Sequence, residues 1–138
     1  MSLANELAVG AALPTKSLRI TRALVDAFGE LADDFNPIHF DDEVARKRGF
    51  SAAIGHGAIA ASLVFAMLTD WLDDWPVESD DLDLVFVGPV IVGDLVTAGG
   101  EIEAEEDGAW RCKVWCRNEQ DKPVIAGTAR VRRERAQA

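Results

Sequence analysis

The segment from Gly57 to Leu72 constrains the fold more than any other. It meets no charged side chain before Asp70, and only Ser62 and Thr69 interrupt its apolar run. Ile59, Leu63, Ala66 and Met67 mark one face at helical spacing, and Ala58, Val64, Phe65 and Leu68 leave little polar surface elsewhere. A helix apolar nearly all round is a buried helix. Gly49, Gly55 and Gly57 punctuate its approach. Strand-like stretches follow at 82–87, 95–104, 109–117 and 123–133, divided by turn signals at Gly93-Asp94, Glu106-Asp107-Gly108 and Asn118 to Asp121. One apolar helix followed by a four-strand antiparallel meander implies an α+β domain. Its curved sheet curls around a central helix at about residues 57–72.

Before that helix, residues 17–20 suit a short strand, and Thr21 is a good N-cap for a helix over 22–32 whose Leu24, Val25, Phe28 and Leu31 share a face. Asn36-Pro37 breaks this helix, because proline removes a backbone donor and pushes its predecessor out of the α region. Asp41 or Asp42 can cap a short helix through 44–46, closed by Gly49. With 138 residues, 49% of them apolar, a single domain over 1–138 is expected, with 1–14 and 134–138 as loosely ordered ends.

Charge narrows the partners. Fourteen basic against 24 acidic residues give −10, which disfavours nucleic acid and anionic membrane surfaces. No run of apolar residues is long enough to span a bilayer, and residues 1–6 lack the basic patch and apolar stretch of a signal peptide. Cys112 and Cys116 fall on one face of a strand with Trp110 and Val114. Four residues apart on a strand they would stand roughly 13 Å from each other, too far for a disulfide. They read as free, buried thiols, and the cytoplasm is the expected compartment.

Both histidines lie beside chain punctuation. In Asp34-Phe35-Asn36-Pro37-Ile38-His39 a helix end meets a forced turn, so Asp34 and His39 can converge although five residues separate them. A carboxylate and an imidazole aimed at one water can share its protons as base and acid, and histidine ordinarily titrates near neutral pH. Asn36 can tie the turn to nearby backbone. The plainer alternative is an Asp34 that caps a turn and a His39 that is a satisfied, half-buried side chain.

The second histidine stands in Gly55-His56-Gly57, at the head of the apolar helix. Free N–H groups there favour negative charge, so the Gly57 amide could polarise a carbonyl oxygen, with His56 in support. A glycine needed only for close packing is the alternative. A zinc site from Asp34, His39, His56 or Asp41 is conceivable, but the spacing matches no zinc motif, and no metal is expected. Ser62 lies mid-helix without a nucleophile elbow. The stretch Asp70 to Trp75 could overhang a pocket for an apolar tail, or form a solvated loop anchored by Trp71 and Trp75.

The run Asp34-x-Asn36-Pro37-x-His39 resembles the hydratase signature of the MaoC-like, (R)-specific enoyl-CoA hydratase family. His39-Phe40-Asp41, the stretch from Gly55 to Ser62, and Phe86-x-x-Pro89-Val90-x-x-Gly93-Asp94-x-Val96 are similar to further motifs of that family, in the same order. The resemblance covers about residues 15–133. It implies a hot-dog fold that dimerises edge to edge, removing exposed edge strands. It further implies a hydro-lyase acting on a trans-2-enoyl thioester. Asp34 and His39 would activate water, Gly57 would hold the thioester carbonyl, and Asn36, His56 and Ser62 would support them.

Coenzyme A would enter as part of the substrate, with no separate cofactor. Its anionic handle must then find a basic patch on an acidic protein; Arg46-Lys47-Arg48 is one candidate, and Arg130, Arg132, Arg133 and Arg135 form another. Two alternatives share the architecture: a 3-hydroxyacyl dehydratase acting on acyl carrier protein thioesters, and a non-catalytic acyl-thioester-binding protein. A hot-dog thioesterase fits less well, since those place a carboxylate on the central helix and none occurs here between Gly57 and Thr69.

Overall fold

The computed structural model describes residues 7–72 and 81–132. The tail at 134–138, Arg133, Arg135 and residues 73–75 of the expected overhang lie outside that range. In chain order the elements are β1 (Lys16–Arg19), α1 (Arg22–Ala32), a 3₁₀ turn (Pro37–His39), α2 (Asp42–Lys47), α3 (Gly57–Leu72), β2 (Leu82–Phe86), β3 (Leu95–Glu106), β4 (Ala109–Arg117) and β5 (Pro123–Arg132). The expected apolar helix is therefore present, residue for residue.

One five-stranded antiparallel sheet has the order β1-β3-β4-β5-β2. This corrects the four-strand meander. Only β3, β4 and β5 follow one another; β2 crosses over to pair with β5, from Leu82 opposite Ala129 to Phe86 opposite Ile125. That pairing demands Gly127, where any Cβ would collide with the Asp83 carbonyl. At the other edge β1 pairs with β3, Lys16 opposite Ala98. The stretch expected to be a loose end is partly held as well. Gly10 donates to the Ile102 carbonyl (2.7 Å), Leu13 donates to the Gly100 carbonyl (2.9 Å), and the Leu13 side chain is buried.

Alternation along β4 follows the sequence: Trp110, Cys112, Val114 and Cys116 are buried while Arg111 and Lys113 are exposed. These residues join α3 in one core, where Ile59, Leu63, Val64, Met67 and Leu68 meet Val96, Ile102, Ile125 and Val131. Each fully buried large aliphatic side chain contributes about 1.5–3 kcal/mol, so the helix is fixed on the sheet chiefly by apolar burial. Burial of α3 is one-sided, however. Ala58 and Ser62 are exposed, and Ala61, Phe65, Ala66 and Thr69 are only partly covered. The all-round apolar pattern thus exceeds what this chain's own sheet covers. No helix among the described residues is long and apolar enough to cross a membrane.

Candidate active site

The site is built where α1 stops. Thr21 caps the helix, accepting from the Leu24 amide (3.0 Å). Asp33 ends it in the left-handed region (φ 53°), which turns the Asp34 amide back onto the Gly29 carbonyl (2.9 Å). Asp34 Oδ1 then accepts from the Asn36 amide (3.3 Å), and Asn36 Oδ1 from the Ile38 amide (3.1 Å). Pro37 enters the 3₁₀ turn at its start, where a missing N–H costs nothing. Arg22 clamps the end of the turn, donating to the His39 carbonyl (2.7 Å) and lying 5.6 Å over the Phe40 ring.

These local bonds bring Asp34 Oδ2 to 3.8 Å from His39 Nε2. That gap is too long for a direct hydrogen bond, and it suits one small oxygen bonded to both. His39 is 12% exposed and Asp34 47%, so the imidazole is sheltered while the carboxylate faces an opening. His39 Nδ1 lies 2.8 Å from the Ile54 carbonyl. A carbonyl only accepts, so Nδ1 carries the hydrogen and Nε2 presents a lone pair toward Asp34. Ile54 is itself fixed, donating to the Ile38 carbonyl (3.1 Å) and bridging to Ile91.

His56 stands directly beside the Asp34–His39 pair. It is 3% exposed and stacks on His39, with ring centroids 3.9 Å apart and planes at 29°. Its Nε2 donates to the Asp34 backbone carbonyl (3.1 Å) and stands 3.9 Å from Asp34 Oδ2. The Phe28 ring also packs against it, tilted, with centroids 4.8 Å apart, and Nδ1 is buried without a hydrogen-bond partner. Gly57 follows at once as the first residue of α3, where amides lack intrahelical acceptors. Phe86 lies over it; a Cβ on Gly57 would stand 3.0 Å from the ring.

Other expected residues fall elsewhere. Ser62 donates to the Ala58 carbonyl one turn back (2.8 Å), a bond internal to α3. Arg46 pairs with Asp42 (4.0 Å) and donates to the Ser51 carbonyl (3.2 Å), while Lys47 and Arg48 are exposed at the end of α2. Arg130 and Arg132 lie on the outer face of β5, five and seven residues beyond Ile125, the partner of Phe86. At ~3.3 Å per residue that is roughly 16–23 Å along the sheet, so this chain does not bring them to the dyad.

Asp34, His39 and His56 offer three donor atoms within 4.8 Å of one another, as a metal site would need. The donor chemistry fits less well, because His56 Nε2 carries the hydrogen bonded to the Asp34 carbonyl and has no lone pair to give. Asp41 is engaged in capping α2 through the Glu43 and Val44 amides. Sequence reasoning missed three contributors. The Ile54 carbonyl has no side-chain signature, and Phe28 read only as a core position. Phe86 stood within a quoted motif, but its placement over Gly57 depends on β2 crossing to β5.

Residues 5–123 match the family described as MaoC like domain. The chain belongs to that family. A curated member, the (R)-specific enoyl-CoA hydratase of Aeromonas caviae, is 35% identical over 115 residues, 83% of this chain and 76% of that enzyme. The mitochondrial 3-hydroxyacyl-[acyl-carrier-protein] dehydratase of Arabidopsis thaliana is 35% identical over 83 residues, but these are 57% of this chain and 49% of that protein. The solved structure of the A. caviae (R)-hydratase, involved in PHA biosynthesis, superposes with a TM-score of 0.75 at 32% identity. It covers 94% of this chain and 98% of its own. The open antiparallel sheet with its central helix is the hot-dog fold of these MaoC-like proteins.

Proposed function

We propose that this MaoC-like chain is a hydro-lyase that adds water reversibly to a trans-2-enoyl thioester of coenzyme A, giving the (R)-3-hydroxyacyl thioester. One observation carries the reading: Asp34 Oδ2 and the lone pair of His39 Nε2 face each other across 3.8 Å. A water between them donates one hydrogen to each. The Gly57 amide draws electron density into the thioester carbonyl, making C3 electrophilic. The water oxygen bonds to C3 as His39 Nε2 takes its proton. The dyad then returns that proton to C2 from the Asp34 side, so one water is added and the dyad is restored. Asn36 keeps the turn closed. Coenzyme A is part of the substrate, and no separate cofactor takes part.

Similarity to the plant dehydratase favours a second reading, in which the same step runs on a carrier-protein thioester, toward dehydration. Product analysis separates the possibilities. Crotonyl-CoA incubated with the protein yields (R)-3-hydroxybutyryl-CoA under the hydratase reading. Free thiol would identify hydrolysis, and unchanged thioester that stays bound would identify a binding protein. Absence of reaction with the CoA ester but turnover of the carrier-protein ester would favour the second reading.

A further inference from the structure

The strap from Ala53 to Gly57, leading into α3, supplies three parts of the site: the Ile54 carbonyl on His39 Nδ1, the His56 ring stacked on His39, and the Gly57 amide. Its backbone is bonded group by group. The Ala53 carbonyl accepts from the Val92 amide (3.0 Å), the Ile54 amide donates to the Ile38 carbonyl (3.1 Å), and the Gly55 amide donates to the Val90 carbonyl. The Ala53 amide differs, because its acceptor is a side chain: it donates to Asp42 Oδ1 (2.8 Å), at the start of α2. Ala53 is fully buried, so water cannot stand in for that carboxylate.

One turn along α2, Arg46 faces Asp42 (4.0 Å), and its Nε donates to the Ser51 carbonyl (3.2 Å), two residues before Ala53. Both members of one ion pair therefore grip the same stretch of chain. An exposed pair of this kind adds little stability by itself. The sequence offers Arg46 to a phosphate, yet the fold turns its donors onto Asp42 and Ser51. Neither Asp42 nor Arg46 falls in the motifs that carry the family resemblance.

We infer that Asp42 and Arg46 are positioning residues that fix the tautomer of His39, clamping the strap so that the Ile54 carbonyl keeps its place on Nδ1. The effect on turnover rests on the hydration reading above; the effect on the ring is a property of the protein alone. Without Asp42 the buried Ala53 amide is unpaired, and the strap shifts to satisfy it. The Ile54 carbonyl moves with it, and the Nδ1 hydrogen loses its acceptor. A neutral imidazole then takes up its hydrogen on Nε2 instead, which removes the lone pair facing Asp34. His56 is anchored separately: its carbonyl accepts from the Ile59 amide (3.0 Å), and its Nε2 is bonded to the Asp34 carbonyl.

The test is nitrogen NMR of isotope-labelled histidine in the protein without substrate, at about pH 8, where imidazole is ordinarily neutral. The chain has only 2 histidines, so each ring is read separately. In the wild type His39 carries its hydrogen on Nδ1 and His56 on Nε2. In Asp42→Ala the His39 pattern moves toward the Nε2 form while that of His56 stays, and Asp42→Asn, which keeps an acceptor oxygen, restores it. Turnover follows the ring. In Asp42→Ala kcat falls about tenfold with KM little changed, equally for crotonyl-CoA and for crotonyl-N-acetylcysteamine, which lacks the phosphates. Arg46→Met frees only the exposed Ser51 carbonyl, so it slows both esters alike by about threefold. An unchanged His39 pattern in folded Asp42→Ala would overturn the clamp whatever happens to kcat. A loss in Arg46→Met confined to crotonyl-CoA would overturn it too, by placing Arg46 on the phosphates. Should Asp42→Ala not fold, Arg46→Met decides, since that side chain is 59% exposed: both esters slowed alike keeps the clamp, and neither slowed removes it. If the wild type turns over neither ester, the hydration reading fails while the His39 pattern still decides the clamp.

Discussion

At the scale of single residues, the candidate site depends on which histidine nitrogen carries a hydrogen. Two backbone carbonyls decide it: Ile54 O takes the Nδ1 hydrogen of His39, and Asp34 O takes the Nε2 hydrogen of His56. In the proposed reaction His39 is thereby the base toward the water it shares with Asp34, and His56 a positioning residue that holds the Asp34 backbone and backs the His39 ring. His56→Phe keeps the stack and the volume but removes the donor to Asp34. Stopped assays should show kcat lower by about tenfold with KM little changed, on the scale of one hydrogen bond in a sheltered site. Thermal melting should remain cooperative. An unchanged kcat in a folded variant would remove His56 from the account. Asp34, Asn36, His39 and Gly57 were all legible in the sequence, because Asn-Pro and Gly-His-Gly announce a fixed turn and a helix head. The Ile54 carbonyl was not, since every residue has one and only the fold aims it.

Elements were read more reliably than their order. The Thr21 cap, the α2 cap at Asp41 and the limits of α3 follow from local chemistry, and local chemistry is what sequence displays. Strand order is set by long-range pairing, so the crossover of β2 to β5 had no local mark beyond Gly127. Alternation on β4 does carry a consequence for pH. Burial pushes the Cys112 thiol up to about 12, with Glu103 adding to it, and burial pushes Cys116 up to about 11. Unfolded thiols titrate near ~8.5, so above that pH the unfolded chain sheds protons that the folded chain keeps. Their contribution to stability is complete below about 8.5 and is lost as pH rises through the folded values. Urea midpoints should therefore fall between pH 8 and 10, as ordinary thiols ionise in the unfolded chain. They should fall less in a Cys112→Ala/Cys116→Ala variant. Equal slopes would show that the thiols do not contribute.

For the whole molecule, the described residues leave apolar surface uncovered: Leu31, expected on the buried face of α1, is 84% exposed, and two further features stand out. One is the outer line of α3, where Ala58 is exposed and Ala61 and Phe65 are half-buried; the other is the edge strand β2, where Val85 and Phe86 are each 55% exposed, with Val87 beside them at 50%. An apolar strand at a sheet edge is a template for another strand. We propose that a second copy covers it, giving a homodimer. Light scattering should then give about twice the 14.9 kDa chain mass, and Val85→Lys should shift the population toward monomer at micromolar concentration. A wild type that stays monomeric at high concentration would refute the dimer.

The central claim is that Asp34 and His39 act on one water. The most direct measurement is loss of enoyl absorbance on mixing crotonyl-CoA with the wild type, Asp34→Asn and His39→Ala, each checked for an intact fold. Both variants should lose about 10²–10⁴ in kcat, the scale of a positioned acid–base group. Folded variants that hydrate as fast as the wild type would contradict the account and move the chemistry away from the end of α1.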